Sequence, residues 1–202
     1  HLSIRRQRQM CIRDRHKSLK KLTKSNSVWL VLGLGNPGPE HEANRHNIGQ
    51  IIVDELAHEL GASFKSHKSG SVIAEYRSPG GPKVVLAKSS GYMNLSGNPT
   101  SQLLQFFSLE PSQLIVIHDE LDLPYGDVRT KFDGGHAGHN GLRDISEKCG
   151  TDYHRIRFGI GRPTNGQEVA DFVLKNFNSE ERDRLKTLVD QAIQKVKSII
   201  QL

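Results

Sequence analysis

Short apolar runs alternate with stretches of helical periodicity along most of the chain. Residues 28–34 form an apolar run that predicts a buried strand, and residues 48–60 resume with apolar side chains at helical spacing. The same criteria predict further strands over 71–77, 83–88, 114–118, 126–132 and 154–160, and further helices through 103–107, from near 140 and over 178–202. Alternating strands and helices are typical of an α/β fold. We therefore predict a single α/β domain over 27–202, in which helices flank a twisted mixed β-sheet.

Two local patterns refine this prediction. The turn sequence SPGGP at 78–82 separates the strands at 71–77 and 83–88, which predicts a hairpin. The last predicted helix carries one apolar stripe, formed by Leu185, Leu188, Val189, Ala192, Ile193, Val196, Ile199 and Ile200. Such a stripe is typical of a helix that packs on a core rather than of a partner site.

Positive charge is concentrated in the first part of the chain. The formal net charge is +6, but residues 1–26 hold nine Lys/Arg and one Asp, whereas 27–202 hold 19 Lys/Arg and 21 Asp/Glu. Overall basicity is therefore no argument for nucleic-acid binding by the folded part. Residues 1–26 lack apolar periodicity, and we predict a disordered basic tail that is not native to the fold. Met10 to Arg15 can be back-translated to match a transposon end used in sequencing libraries, which favours an assembly artefact up to about Arg15 over a targeting or RNA-binding arm.

The remaining composition indicates a reducing compartment. The two cysteines, Cys11 and Cys149, give no disulfide framework. No apolar run approaches the length of a membrane span, and the first twenty residues lack the apolar core of a secretory signal. We therefore expect a cytoplasmic protein that does not associate with membranes.

A glycine-rich stretch follows the first predicted strand and allows two interpretations. Gly33, Gly35 and Gly38 satisfy the dinucleotide-binding pattern G-x-G-x-x-G. Pro37 and Pro39, however, remove two N–H donors from the segment that would bind a pyrophosphate. The second interpretation assigns the function of this stretch to its polar residues rather than to its glycines, and we prefer it.

Polar residues recur at the ends of predicted elements: Asn36, His46, Asn94, Asp119 and Asn140. Taken singly, each is explained by a turn or a helix cap. Taken together, they suit acyl transfer to water. A carboxylate that holds the Nδ1–H of an imidazole leaves Nε2 free to activate a water molecule, and carboxamides donate hydrogen bonds to the developing oxyanion.

Other kinds of catalytic site are disfavoured. His136 and His139 lie in a glycine-rich loop without cysteines or carboxylates at a convincing ligand spacing, so we predict no metal and no cofactor. No G-x-S-x-G motif appears, and Cys149 has no histidine or aspartate beside it in the sequence. Water is therefore the favoured nucleophile.

Five motifs closely resemble, in order, those of bacterial-type peptidyl-tRNA hydrolase. They are Gly35-Asn36-Pro37-Gly38, Arg45-His46-Asn47, Tyr92-Met93-Asn94-Leu95-Ser96-Gly97, His118-Asp119-Glu120-Leu121-Asp122 and Gly135-His136-Ala137-Gly138-His139-Asn140-Gly141. The resemblance implies hydrolysis of the ester that joins a peptide to the 3′-terminal ribose of tRNA, with peptidyl-tRNA as substrate, a monomer as the active form and no metal. The alternative is a non-catalytic RNA-binding relative that acts through protein partners.

The resemblance also assigns roles to individual residues. It implies that His46 is the catalytic base and Asp119 its orienting partner. It implies substrate contacts near the peptide and ribose, made by Asn36, Met93, Asn94, His139 and Asn140. His41 stands where the family usually has Tyr, and Asn44 where it usually has Thr. We assign His41 to the substrate site as a second nearby imidazole.

Local charge indicates where tRNA binds. Residues 128–162 hold seven Lys/Arg and four Asp/Glu, within a folded part that is slightly acidic overall. Such a patch suits phosphate contacts that do not read sequence. The resemblance favours four residues as contacts to the tRNA acceptor stem, namely Arg129, Lys131, Arg143 and Arg157.

Overall fold

A mixed β-sheet of seven strands runs through the computed structural model, which describes residues 27–164 and 166–202. The strands are β1 (Val28–Gly33), β2 (Lys65–His67), β3 (Ser71–Arg77), β4 (Lys83–Ser89), β5 (Leu114–Glu120), β6 (Val128–Phe132) and β7 (His154–Gly159). The α-helices are α1 (Ile48–Glu59), α2 (Gly97–Phe106), α3 (Asn140–Cys149), α4 (Val169–Val173) and α5 (Ser179–Ile200). The predicted α/β fold is confirmed, whereas the predicted tail at 1–26 lies outside the described residues.

The strand order is β2-β3-β4-β1-β5-β7-β6. The four middle strands β4, β1, β5 and β7 are parallel, whereas β2, β3 and β6 each pair antiparallel with their neighbours. The predicted hairpin is confirmed as the β3–β4 pair. Because the parallel strands share one direction, the segments that follow β4, β1 and β5 emerge at the same edge of the sheet.

Each face of the sheet is covered by apolar side chains that alternate along the strands. Val31 and Ile115 belong to the cluster that contains α1 and α5, whereas Leu32 and Val116 belong to the cluster that contains α2 and α3. The predicted stripe of the last helix is buried at Leu188, Val189, Ala192, Ile193, Val196 and Ile200. Both faces of the central strands are therefore buried, which explains their continuous apolar sequences.

The structure also differs from the sequence prediction in local details. The short edge strand β2 and the five-residue helix α4 have patterns too short to predict. Strand β5 continues past 118 to Glu120, which places Asp119 within the strand rather than in the loop after it. Helix α3 begins at Asn140 as predicted, but its cap is the side chain of His139, which accepts a hydrogen bond from the N–H of Leu142.

Gly33 of the first motif and Gly49 allow close packing between β1 and α1. A Cβ at Gly33 would overlap the carbonyl oxygen of Gly49. A Cβ at Gly49 would overlap the carbonyl oxygen of Ile117 and lie 2.5 Å from the N atom of Leu34. These contacts explain Gly33 without a bound dinucleotide and bring the start of α1 against β1 and β5.

Replacing Gly49 with alanine is expected to lower the free energy of unfolding by about 3 kcal/mol, because the new methyl group would meet backbone atoms that cannot rotate away. Urea denaturation measures this change. The matched control is Gly91→Ala, whose Cβ would meet nothing closer than 3.7 Å and should alter stability by less than about 0.5 kcal/mol. Equal stabilities of the two variants would contradict the packing argument.

Candidate active site

Five of the residues predicted for catalysis or substrate binding meet around one cavity at the carboxyl edge of the parallel strands. The cavity has a volume of about 370 Å³, and the five are Asn36, His46, Met93, Asn94 and Asn140. Asn36 follows β1, and His46 lies in the 3₁₀ turn Arg45–Asn47 that leads into α1. The 3₁₀ turn Met93–Leu95 follows β4. Residues far apart in sequence therefore come together because their strands end at the same edge of the sheet.

The imidazole of His46 is held by a buried carboxylate. Its Nδ1 lies 2.9 Å from Oδ1 of Asp119, whose side chain is 2 % exposed. Burial alone would raise the pKa of Asp119, but the charges and hydrogen bonds of His46 and His139 hold it well below its usual value. Asp119 is therefore a carboxylate, and the imidazole Nδ1–H donates to it, which leaves Nε2 of His46 as a proton acceptor.

The carboxylate of Asp119 in turn raises the pKa of the His46 imidazole. Burial alone would lower the pKa of His46, but the charge of Asp119 and the hydrogen bond to it raise the pKa above its usual value. A raised pKa makes Nε2 a stronger base once it has lost its proton. The pair is therefore arranged as a general base and its orienting acid.

His139 gives Asp119 a second partner. Its Nε2 lies 3.0 Å from the same Oδ1 of Asp119, and its Nδ1 accepts from the N–H of Leu142 at 3.4 Å. Because Nδ1 is an acceptor, Nε2 carries the proton and donates it to Asp119. His118 lies edge-on to His139, with ring centroids 5.1 Å apart, and its Nδ1–H donates to the carbonyl oxygen of Asp119 at 2.7 Å. Full burial lowers the pKa of His118 to about 3, so this ring is neutral.

Two carboxamides are oriented so that their N–H₂ groups remain available. The Oδ1 of Asn36 accepts from the N–H of Met93 at 2.8 Å, and the Oδ1 of Asn140 accepts from Arg143 at 2.7 Å. Since each oxygen is already bonded, each Nδ2 is free to donate to a ligand in the cavity. Asn47 fixes the backbone of Asn36 through two further hydrogen bonds of 3.0 and 2.8 Å.

Three possible metal ligands converge near the cavity. Within the described residues, one ligand atom each from His46, Asp119 and His139 lies within 4.8 Å of the other two. Both histidine nitrogens in this group carry the protons that bond Asp119, so a metal ion would have to displace both hydrogen bonds. This geometry suits a hydrogen-bonded base better than a metal centre.

Comparison with known proteins identifies the family. The sequence model of the family described as peptidyl-tRNA hydrolase matches residues 30–202. The chain belongs to the peptidyl-tRNA hydrolase family. It is 54 % identical over 175 residues to the peptidyl-tRNA hydrolase of Leifsonia xyli subsp. xyli, covering 86 % of this chain and 91 % of that one. The peptidyl-tRNA hydrolase of Streptomyces coelicolor is 47 % identical over 183 residues, covering 88 % and 92 %.

Solved structures of the family share the fold. The crystal structure of peptidyl-tRNA hydrolase from Acinetobacter baumannii superposes with a TM-score of 0.81 at 38 % identity, covering 86 % of this chain and 89 % of that chain. The family and the fold expected from the five motifs are therefore confirmed. Among the described residues, no helix combines the length and apolar character that a membrane crossing requires.

Three of the four predicted tRNA contacts, Arg129, Lys131 and Arg157, lie on β6 and β7 at one edge of the sheet, whereas Arg143 lies on α3. The register pairs Arg129 with Arg157 and Lys131 with Arg155, so these four side chains share one face. Arg129 and Lys131 are exposed, whereas Arg157 donates to Glu120 at 2.9 Å and is 23 % exposed. Arg155 turns inward and binds carbonyl oxygens of the glycine-rich loop.

His41, also predicted for the substrate site, does not line this cavity. Its Nδ1 is 3.0 Å from Nδ2 of Asn44. Its assignment to the substrate site stays a prediction.

Sequence reasoning missed several cavity residues. Tyr92, Ala170, Val173 and Leu174 line the wall, and Arg143, predicted only as a tRNA contact, also lines the cavity. The pattern Val169, Phe172, Val173 has helical spacing but is too short to indicate a wall helix.

Proposed function

We propose that this family member hydrolyses the ester between a peptide and the 3′-terminal ribose of tRNA. The observation that carries the proposal is the 2.9 Å hydrogen bond between His46 and Asp119 beside a cavity with two free carboxamide donors. Nε2 of His46 takes a proton from a water molecule, which attacks the ester carbonyl. The Nδ2 groups of Asn36 and Asn140 stabilise the negative charge that develops on the carbonyl oxygen.

The products follow from the same geometry. The bond between water oxygen and the carbonyl carbon forms, and the bond from that carbon to the ribose oxygen breaks. The proton held by His46 passes to the leaving ribose oxygen, so that free tRNA and the carboxylic acid of the peptide result, and the acid then releases its proton to solvent. Met93 and Asn94 border the bound ester, and His139 keeps Asp119 aligned.

The proposed setting follows from the substrate and the site. Peptidyl-tRNA arises during translation, so we place the reaction in the cytoplasm. We also propose a monomer as the active form, as the resemblance to the family implies. The exposed side chains of β6 and α3 contact the acceptor stem of tRNA.

Release of tRNA from N-acetyl-aminoacyl-tRNA by the purified protein tests the proposed function. Multiple turnovers without added metal are expected, with free tRNA and N-acetyl amino acid in equal amounts. Binding of the substrate without turnover would instead support the non-catalytic RNA-binding alternative.

The exposed basic side chains of β6, Arg129 and Lys131, predict a salt-dependent affinity for tRNA. Removing two phosphate contacts with the double variant Arg129→Ala/Lys131→Ala is expected to reduce the slope of log affinity against log salt by about 2. Titration of labelled tRNA at several salt concentrations measures this slope. The matched control, Lys65→Ala/Arg77→Ala, removes two exposed cations near the opposite edge of the sheet and should keep the wild-type slope. Equal slopes for both double variants would contradict tRNA contacts at β6.

A further inference from the structure

A second cavity lies beside the catalytic cavity and shares Asn36 with it. Its volume is about 340 Å³, and its lining includes Gln50 and Asp54 of α1, Glu42 of the preceding turn, and Lys88 of β4. None of these four side chains has a role in the proposed reaction. Because Asn36 lines both cavities, the two are neighbours.

The order of the strands locates the second cavity relative to the proposed tRNA contacts. Strand β1, which Asn36 follows, has β4 on one side and β5, β7 and β6 on the other. Two of the proposed tRNA contacts, Arg129 and Lys131, lie on β6, whereas Lys88 of the second cavity lies on β4. A peptide that leads from the ester away from these two contacts would lead toward the second cavity.

Gln50 offers this cavity a hydrogen-bond donor that the fold leaves unused. Its Nε2 is buried and has no hydrogen-bond partner within 27–164 and 166–202. The side chain lies against Gly35, where a Cβ would come within 2.8 Å of Gln50 Cδ. A buried unpaired donor is costly, and Gln50 is among the residues that line the second cavity. A main-chain carbonyl of a bound peptide would supply the missing acceptor.

The charges of the cavity lining favour some peptide side chains over others. Lys88 is paired with Asp54 at 2.5 Å, which leaves the carboxylate of Glu42 without a cation in the cavity lining. The cavity therefore disfavours acidic side chains of a bound peptide.

We propose that the second cavity binds the peptide beyond the esterified residue. Gln50 donates to the carbonyl of the second amide group from the ester, and Glu42 disfavours an acidic side chain on the second residue. This inference rests on the proposed function, since it concerns the peptide part of the same substrate.

Two substrates that differ by one residue test the role of Gln50. N-acetyl-aminoacyl-tRNA contains one amide group next to the ester, and N-acetyl-dipeptidyl-tRNA contains two. Gln50→Leu is expected to lower kcat/KM about fivefold for the dipeptidyl substrate and to leave the aminoacyl substrate unchanged, which corresponds to one neutral hydrogen bond. Gln105→Leu, an exposed glutamine of α2, is the matched control and should change neither value.

The outcomes separate this inference from the proposed function. If the wild-type protein hydrolyses neither substrate, the proposed function fails and the inference fails with it. If the wild type hydrolyses both and Gln50→Leu affects both equally or neither, only the inference is overturned. A partly unfolded variant would lose the same fraction of activity on both substrates, so the ratio of the two values reports binding alone.

The charge preference is tested with dipeptidyl substrates that carry Lys or Glu as the second residue. The wild type is expected to show a higher kcat/KM for Lys, and Glu42→Gln should reduce this preference at least about twofold. A preference that is absent in the wild type, or unchanged in Glu42→Gln, would overturn the role of Glu42.

Discussion

Replacing His46 with alanine is expected to lower kcat for peptidyl-tRNA hydrolysis about 10²–10⁴-fold, because the variant has no general base to take the proton of the attacking water. The affinity for tRNA should remain close to that of the wild type, since His46 lies in the cavity rather than on β6 with Arg129 and Lys131. Single-turnover hydrolysis of N-acetyl-aminoacyl-tRNA and a separate tRNA titration measure the two quantities.

The control for this variant is His58→Ala, which removes an exposed imidazole from the far end of α1. It should keep wild-type kcat. If His46→Ala retained more than a tenth of the wild-type rate, another group would be the base and the proposed mechanism would be wrong.

Replacing Asp119 with asparagine is expected to reduce kcat about 10³-fold, because a carboxamide that donates to Nδ1 of His46 favours the wrong imidazole tautomer. The pH dependence should change as well. In the wild type, the carboxylate raises the pKa of His46, so kcat/KM should fall as the pH drops through this raised value and the base becomes protonated. Without the carboxylate, burial of His46 still lowers its pKa, and the residual activity should decline at a lower pH.

The pH profile of kcat/KM for wild type and variant checks this shift. Asp122→Asn is the matched control, because Asp122 is a half-exposed carboxylate that pairs with Arg162 at the surface. It should keep both the rate and the profile of the wild type. An Asp119→Asn profile that coincides with the wild-type profile would show that Asp119 does not tune His46.

The positions of the main elements followed from local pattern. The strands and helices around Asn36, Asn94 and Asn140 begin or end within a few residues of the predicted bounds, because apolar runs and helical stripes directly reflect burial. Strand β5 was predicted too short, since His118, Asp119 and Glu120 are polar side chains buried at its end. A buried polar residue breaks the pattern by which a strand is recognised, and such exceptions are expected at functional sites.

The contacts within the site could not be derived from spacing. His46 and Asp119 are 73 residues apart, and their meeting depends on β1 and β5 being neighbours in the sheet. The motifs implied their pairing only through resemblance to a family. The support of Asn36 by Asn47 and of Asn140 by Arg143 is a matter of side-chain geometry, which the sequence pattern does not contain.

The imidazole of His139 makes two hydrogen bonds, one to Asp119 and one at the start of α3. Its Nε2–H holds the catalytic carboxylate, while its Nδ1 caps the helix that carries Asn140 and Arg143. An insertion or deletion in the glycine-rich segment before His139 would therefore disturb the alignment of the acid and the placement of the oxyanion donor together. When the length of that segment varies in evolution, the orientation of the His139 imidazole has to be preserved.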